Sequence, residues 1–275
     1  MQPKIGIVGV PLEDVLVDSQ PITVHTYIPH ITDEARRRII ERITSAGFPP
    51  IDLGELCMGE DYSLPFSLDV SKELSPARSS SLRHNNMAYI IAARSFLQDK
   101  LKELDLTVAI GPSHLGAITL YSNNDMVARF DYHSDFEELT KKDAMQPTYS
   151  NYLDWVRWKL RGVKLTNYFV RWPTKSHRKI LGKEAKGIKD ISYLNANHFD
   201  IDVDCIDERF GVHTGLYEHK NGPTYLKPSD LVPLVKAAKQ VRKLGVWEYR
   251  LEHDEYELGL DMIIASILAA ARNLS

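Results

Sequence analysis

Two cysteines, Cys57 and Cys205, are all that the 275-residue chain carries. That is too few for a disulfide framework, and both read as reduced thiols of a cytosolic protein. Charge of one sign is also lacking. The net charge is −3, whereas a protein that tracks phosphate backbones needs a basic surface, so no nucleic-acid partner is expected. Long apolar runs are missing too: nothing approaches the roughly 18 residues that suggest a membrane span. The opening "MQPKIGIVGVPL" has one lysine and a short apolar run, without the longer apolar region and small-residue cleavage site of a signal peptide. A cytoplasmic protein is expected. What is present suits a globular chain with a sizeable core: 43% hydrophobic and 26% charged residues.

Short β-branched runs alternate with longer helical patterns. The spacing predicts strands at Lys4–Leu12, Leu106–Ser113, Asp125–His133, Val163–Trp172, Ile191–Asp202 and Val246–Glu252. It predicts helices at Thr32–Phe48, Asn85–Leu104, Lys227–Gly245 and Gly259–Leu274, with Thr32 and Ser229 as caps. The polar segment Leu53–Ser81 reads as loop. No repeat, low-complexity tract or linker interrupts the pattern. Strands alternating with helices give the expected fold: a single α/β domain over residues 1–275, three-layer α/β/α, with a mostly parallel sheet.

The chemistry gathers at strand ends. "ARFDYHSDFEE" sets Asp131, His133 and Asp135 two residues apart, and residues i, i+2 and i+4 of a strand share a face. Neighbours on that face stand roughly 6.6 Å apart. Such a row can straddle two metal ions about 3.5–4 Å apart where the strand bends. Taken alone, the row could equally be a solvated strand end. A second row, "NHFDIDVDCIDERF", carries Asp200, Asp202, Asp204 and Asp207. Like charges that close repel and raise one another's pKa unless a cation lies between them. His114, in "AIGPSHLGA", follows a third strand and a tight turn, where α/β sheets place their sites. Carboxylate and imidazole donors without thiolate suit Mn²⁺, with zinc, nickel and cobalt open on ligand type. Two carboxylates able to bridge suit two ions, and a pair of ions supplies hydroxide at neutral pH. Hydrolysis is the expected reaction class.

These stretches resemble the ureohydrolase family, which includes arginase, agmatinase and formiminoglutamase. The family's Gly-Gly-Asp-His-Ser, Asp-Ala-His-x-Asp and Ser-x-Asp-x-Asp-x-x-Asp-Pro stretches correspond to "GPSHL", "DYHSD" and "DIDVDCIDE", in the same order. "IGIVGVPLE", "GPTYLKPSDL" and "VWEYRLEHDE" extend the resemblance over most of the chain. The resemblance implies two Mn²⁺ per chain. His114, Asp131, Asp135 and Asp202 would hold one, and His133 and Asp204 the other, with Asp131 and Asp202 bridging. Asp135 would also steer a hydroxide shared by the ions, and Glu248 would bind the substrate guanidinium through two parallel N–H bonds. Hydroxide attack on the guanidino carbon would then release urea and an amine, agmatinase-like before arginase-like. A homo-oligomer, trimeric or hexameric, is implied by the resemblance alone.

The chain departs from the family pattern in three places. Ser113 stands where the family has aspartate, and Pro112 where it has glycine. Outer partners of this kind tune metal affinity by roughly 10–100-fold. Asn151 falls at the place of a family histidine near substrate, beside Tyr149, Ser150 and Tyr152. Asparagine hydrogen-bonds but transfers no proton at pH 7. Glu208 replaces a family proline in a loop that meets substrate. His198 reads as a turn-capping residue, and "WVRWKLRGVK" as a helix with a basic outer face and packed tryptophans. Two rivals follow. A mononuclear zinc deacetylase-like amide hydrolase would need one Asp-x-His and one distant Asp, leaving His114, Asp135 and Asp204 unused. A catalytically altered relative would serve as a binding or structural subunit.

Overall fold

A computed structural model describes residues 2–16, 23–27, 31–56, 90–91, 93–136, 140–141, 147, 151–168, 191–206 and 227–275. Seven strands form one sheet: β1 (Ile5–Gly9), β4 (Ile51–Glu55), β5 (Leu106–Gly111), β6 (Met126–Phe130), β7 (Lys164–Tyr168), β8 (His198–Asp202) and β9 (Lys243–Trp247). Their order is β4-β1-β5-β9-β8-β6-β7, and every pairing is parallel. A separate antiparallel hairpin joins β2 (Leu12–Leu16) to β3 (Thr23–Tyr27).

Side chains alternate across the sheet, so each strand feeds two cores. From β1, Ile5 and Ile7 enter the core that holds Ile39, Ile43, Leu260 and Ile263. Val8 and, just past the strand, Val10 enter the opposite core, with Tyr152, Trp155 and Trp247. Helices complete the layers: α1 (Asp33–Ser45), α2 (Tyr152–Lys159), α3 (Pro228–Ala237) and α4 (Leu258–Leu274). In α1 the buried Ala35, Ile39 and Ile43 recur every four residues, a narrow apolar stripe. Its outer face carries Glu34, Arg37 and Glu41 as i, i+3 and i, i+4 ion pairs. Residues 90–91 and 93–100 are helical as well. Among the described residues no helix is long and apolar enough to cross a membrane.

Several expectations from periodicity need correction. Ile191–Asp202 is not one strand: Ile191–Asn195 is a 3-10 helix, and β8 begins at His198. Asn197 makes the junction, its Oδ1 accepting from Met126 N at 2.8 Å. The helix expected to reach Gly245 ends at Ala237, because Lys243 and Gly245 pair with Thr107 and Ala109 of β5. Ile51–Glu55 is an edge strand rather than the start of a loop, and Glu55 accepts from Thr32 Oγ1 at 2.6 Å. That bond takes up the hydroxyl expected to cap α1. Ser229 lies inside the first turn of α3, where Pro228 stands first and Asp230 reaches back to Lys227 N. In α2, Trp155 is packed but Trp158 is exposed beside Arg157. His198 caps no turn; it is buried in β8 against the Tyr121 ring.

β5, β9, β8 and β6 are neighbours, and their C-terminal ends share one rim. In open parallel sheets that rim is where ligands bind.

Candidate metal centre

Each expected ligand stands on this rim. His114 opens a 3-10 helix just past β5, where Ser113 caps the turn by accepting from Leu115 N at 3.2 Å. Asp131 follows the last residue of β6, with His133 and Asp135 on the bend beyond it. Asp202 ends β8, and Asp204 lies in the short 3-10 turn after it. Glu248 follows β9. Their ligand atoms converge in three overlapping groups: His114, Asp131 and Asp135; Asp131, His133 and Asp204; Asp202, Asp204 and Glu248. Asp207, the fourth aspartate of the second row, and Glu208 lie outside the described residues. Asn151 is buried and immediately precedes α2.

His114 Nδ1 faces Asp202 Oδ2 at 2.8 Å, Asp131 Oδ2 at 3.0 Å and Asp135 Oδ2 at 3.1 Å. It is fully buried and makes a hydrogen bond to none of them. An ion about 2.1 Å from each donor, with donors at right angles, holds them about 3.0 Å apart. The spacing suits a coordination shell, as it also suits ion pairs to a protonated ring. On the other side, His133 Nδ1 is 2.6 Å from Asp204 Oδ2, an oxygen that likewise lacks a hydrogen bond among the described residues. Backbone amides orient the remaining oxygens. Asp131 Oδ1 accepts from His133 N at 2.5 Å, Asp202 Oδ1 from Asp204 N at 2.9 Å, and Asp204 Oδ1 from Tyr132 N at 3.1 Å. One buried, orphaned donor atom on each side fits a divalent cation, and on the His114 side the Arg129 guanidinium competes for the Asp131 and Asp135 oxygens.

The electrostatics agree. Burial and the neighbouring Asp204 charge push the Asp202 carboxyl up to about 7. Burial would lower His133, but its contact with Asp204 and the other carboxylates raises it to about 9. A cluster that holds protons this tightly is short of positive charge. Two of its members also take backbone conformations that side chains rarely adopt: φ is 46° at Asp135 and 57° at Glu248. Such residues persist where the surrounding structure holds them, and they concentrate at functional sites.

Residues to which the sequence pattern assigned no role complete the surroundings. Asp200, buried in β8, accepts from Tyr121 Oη at 2.6 Å, Tyr152 Oη at 2.9 Å and Trp247 Nε1 at 2.6 Å. The Tyr152 proton is thus committed to Asp200, and the Tyr152 oxygen accepts from Arg129 Nε at 2.9 Å. His114 Nε2 is also 2.9 Å from that oxygen. With the tyrosine proton already committed, Nε2 must donate, which in the neutral ring leaves Nδ1 as the lone pair facing the carboxylates. Burial opposes protonation, but in metal-free protein Tyr152, Asp200 and Asp202 hold the ring well above its ordinary pKa. Trp247 reaches Asp200 because Gly116 and Gly245 leave it a slot: a Cβ on them would meet the indole at 2.7 Å and 2.6 Å.

Arg129, fully buried in β6, is the other such residue. Its Nη2 contacts Asp131 Oδ2 and lies 2.6 Å from Asp135 Oδ2, while Nη1 donates to His133 O at 3.0 Å and Asn167 Oδ1 at 3.2 Å. Its sequence signal was position: two residues before Asp131 in a strand, it shares the aspartate's face.

No known family model matches the chain, and no curated protein matches it in sequence. Solved structures do match, over nearly the whole length. Arginase of Bacillus caldovelox superposes with a TM-score of 0.62 at 16% identity, covering 98% of this chain and 98% of that one. Proclavaminate amidino hydrolase of Streptomyces clavuligerus gives 0.59 at 14% identity, covering 99% and 91%. Formimidoylglutamase of Bacillus subtilis gives 0.57 at 13% identity, covering 99% and 88%. A parallel seven-stranded sheet matched from end to end by these proteins gives the chain an arginase-like α/β fold.

Proposed function

We propose that the protein is a metal-dependent hydrolase of a small guanidino compound, releasing urea and an amine. One observation carries the reading: buried His114 Nδ1 faces three carboxylate oxygens at 2.8–3.1 Å without a hydrogen bond to any. The donor set favours manganese. His114, Asp131, Asp135 and Asp202 would hold an ion on one side, and His133 and Asp204 one on the other. A divalent cation bound here lowers the pKa of water and supplies hydroxide at neutral pH.

The chain's own groups would do the rest. Glu248, at the rim beside Asp202 and Asp204, accepts two N–H bonds from a planar guanidinium. Asp135 orients the attacking oxygen. Asn151 is the substrate-side residue in place of a proton-transferring histidine, so the leaving amine takes its proton from solvent or, relayed through Asp135, from the attacking oxygen. Agmatine-like substrates come before arginine-like ones, although no described residue of the site discriminates between them. A homo-oligomer, trimeric or hexameric, follows from the family resemblance alone.

The test is urea release from agmatine, arginine, guanidinobutyrate and guanidinopropionate by the manganese-loaded protein. Urea from at least one of them is expected, and none from any would sink the guanidino reading. A second reading, a one-ion amide hydrolase, is favoured by Arg129, whose guanidinium already lies on two oxygens of the His114 side. Acetate release from acetylated amines, without urea from the panel, would select it.

A further inference from the structure

The two sides of the centre differ in what they already hold. On the His114 side, Arg129 Nη2 touches Asp131 Oδ2 and stands 2.6 Å from Asp135 Oδ2. These are two of the three oxygens that face His114 Nδ1. On the His133 side, the described residues place no arginine or lysine against Asp204. Among the described residues the cation-forming partner there is His133, whose side chain is 46% exposed.

We propose that Arg129 is the resident cation of the His114 side, so that at micromolar manganese the protein binds one divalent ion per chain, between His133 and Asp204, rather than two. This rests on the reading of the cluster as a metal centre.

Three observations support it. First, the guanidinium is held from every direction. Nε donates to Tyr152, Nη1 to His133 O and Asn167 Oδ1, and Nη2 to the two carboxylates. The Tyr152 and Asn167 contacts tie it to α2 and β7, so it is not a side chain free to swing away. Secondly, Arg129, His114 and Asp131 are at most 1% exposed. An ion arriving from water meets His133 first. To reach the inner side it must strip a buried guanidinium of both carboxylates, which leaves a charge unpaired where water cannot reach it. Thirdly, much of the charge is already offset. Asp131, Asp135, Asp202, Asp204 and Glu248 against one divalent ion and one guanidinium leave two negative charges, and a substrate guanidinium on Glu248 would leave one. Asp200 is satisfied separately by Tyr121, Tyr152 and Trp247.

The inner side should therefore bind manganese about 100-fold or more weakly than the outer side. The test uses the full chain, stripped with chelator and equilibrated with manganese chloride. Elemental analysis counts the ions, and anomalous diffraction at the manganese edge locates them. The expected result is one ion per chain, a single peak beside His133 and Asp204, and Arg129 still on Asp131 and Asp135. Arg129→Met should then bind two ions at the same manganese concentration, whereas Arg129→Lys, which keeps a cation, should bind one.

Two equally occupied peaks in the wild type, with Arg129 displaced, would overturn the proposal and leave the metal reading intact. One ion in Arg129→Met would overturn Arg129 as the cause. No ion in any form would overturn the metal reading and the proposal together. Should Arg129→Met fail to fold, the wild-type count and peak position decide. The paramagnetic resonance spectrum gives an independent readout: six lines from an isolated Mn²⁺, against the broader pattern of an exchange-coupled pair.

Discussion

The same strands bury charge at both of their ends, with opposite outcomes. At the N-terminal end, Lys243 Nζ donates to Asp125 Oδ1 and Oδ2 at 2.8 and 2.7 Å, to Ser122 Oγ at 2.7 Å and to Leu120 O at 3.1 Å. Asp125 also accepts from Ser122 N at 2.7 Å. The Lys243–Asp125 pair is closed: its ammonium and carboxylate both have partners. At the C-terminal end the carboxylates outnumber their cations, and His114 Nδ1 and Asp204 Oδ2 stay orphaned. Buried charge as such does not mark a site. Buried carboxylates that outnumber the cations around them do; missing hydrogen bonds alone do not, since both nitrogens of buried His198 beside Asp125 lack them too.

The sharpest way to break this comparison is Asp131→Asn. Asp131 belongs to both candidate ligand groups on either side of the centre, so manganese retention and any urea release should fall by at least about 1,000-fold. Retention of both would remove Asp131 from the site. Lys243→Met should do the reverse, costing about 3–5 kcal/mol of stability by leaving Asp125 buried and unpaired. Manganese binding by the folded protein should stay unchanged. Chemical denaturation and a metal titration separate the two effects, and a large loss of metal affinity would contradict the division of roles.

Smaller in effect, but opposite in sign at the two ends, is the dependence on pH. Burial raises the Asp125 carboxyl, but the His198 ring and the Lys243 ammonium more than offset it and hold it at about 2. A depressed carboxylate stabilises the fold above its ordinary pKa, and that contribution is lost as pH falls through about 4 towards about 2. Asp202, raised to about 7, acts the other way. In metal-free protein it weakens the fold as pH climbs from about 4 to 7, by an amount on the order of 1–4 kcal/mol. His133, raised to about 9, adds a loss between about 6.5 and 9. Metal-free protein should therefore be less stable at pH 8 than at pH 5.5, and saturating manganese or Asp202→Asn should flatten that slope. A metal-free stability that rises over this range would contradict the charge shortage. The smallest expected effect belongs to Gly116→Ala. Its Cβ would press on Trp247 at 2.7 Å, costing about 1–3 kcal/mol through overpacking. It should also lower manganese affinity modestly by disturbing Asp200.

The candidate ligands were legible because two rows of acids at a period of two, each at the end of an apolar run, repel one another strongly unless a cation lies between them. That pattern and the chain order single out His114, Asp131, His133, Asp135 and the second aspartate row. The choice of Asp202 and Asp204 over Asp200 came from the family resemblance, and the structure brings these six to one rim. Arg129 was not legible in the same way. Inside "DMVARF" it reads as one charge in an apolar run, and only the closed sheet shows that it cannot reach water. Tyr121, Tyr152 and Trp247 converge on Asp200 from three separate segments, and no local spacing records that meeting. In the fold, the core strands and the helices α1 and α4 were plain from periodicity. The boundary between α3 and β9 was not, because apolar residues run on through Ala238 and Val241 while pairing with β5 sets the start of the strand. β4 was hidden by its polarity, since an edge strand buries little.

Donors drawn from residues 114, 131–135 and 202–204, with Glu248 beside them, meet only after four strand ends have been set side by side. The unfolded chain offers an ion only scattered pairs, so nearly all of the binding energy belongs to the native state. An ion at about 100 times its dissociation constant would then add about 2.7 kcal/mol to the stability of the fold. The protein's heat resistance should track free manganese, with the ion acting as a clamp across the middle of the sheet.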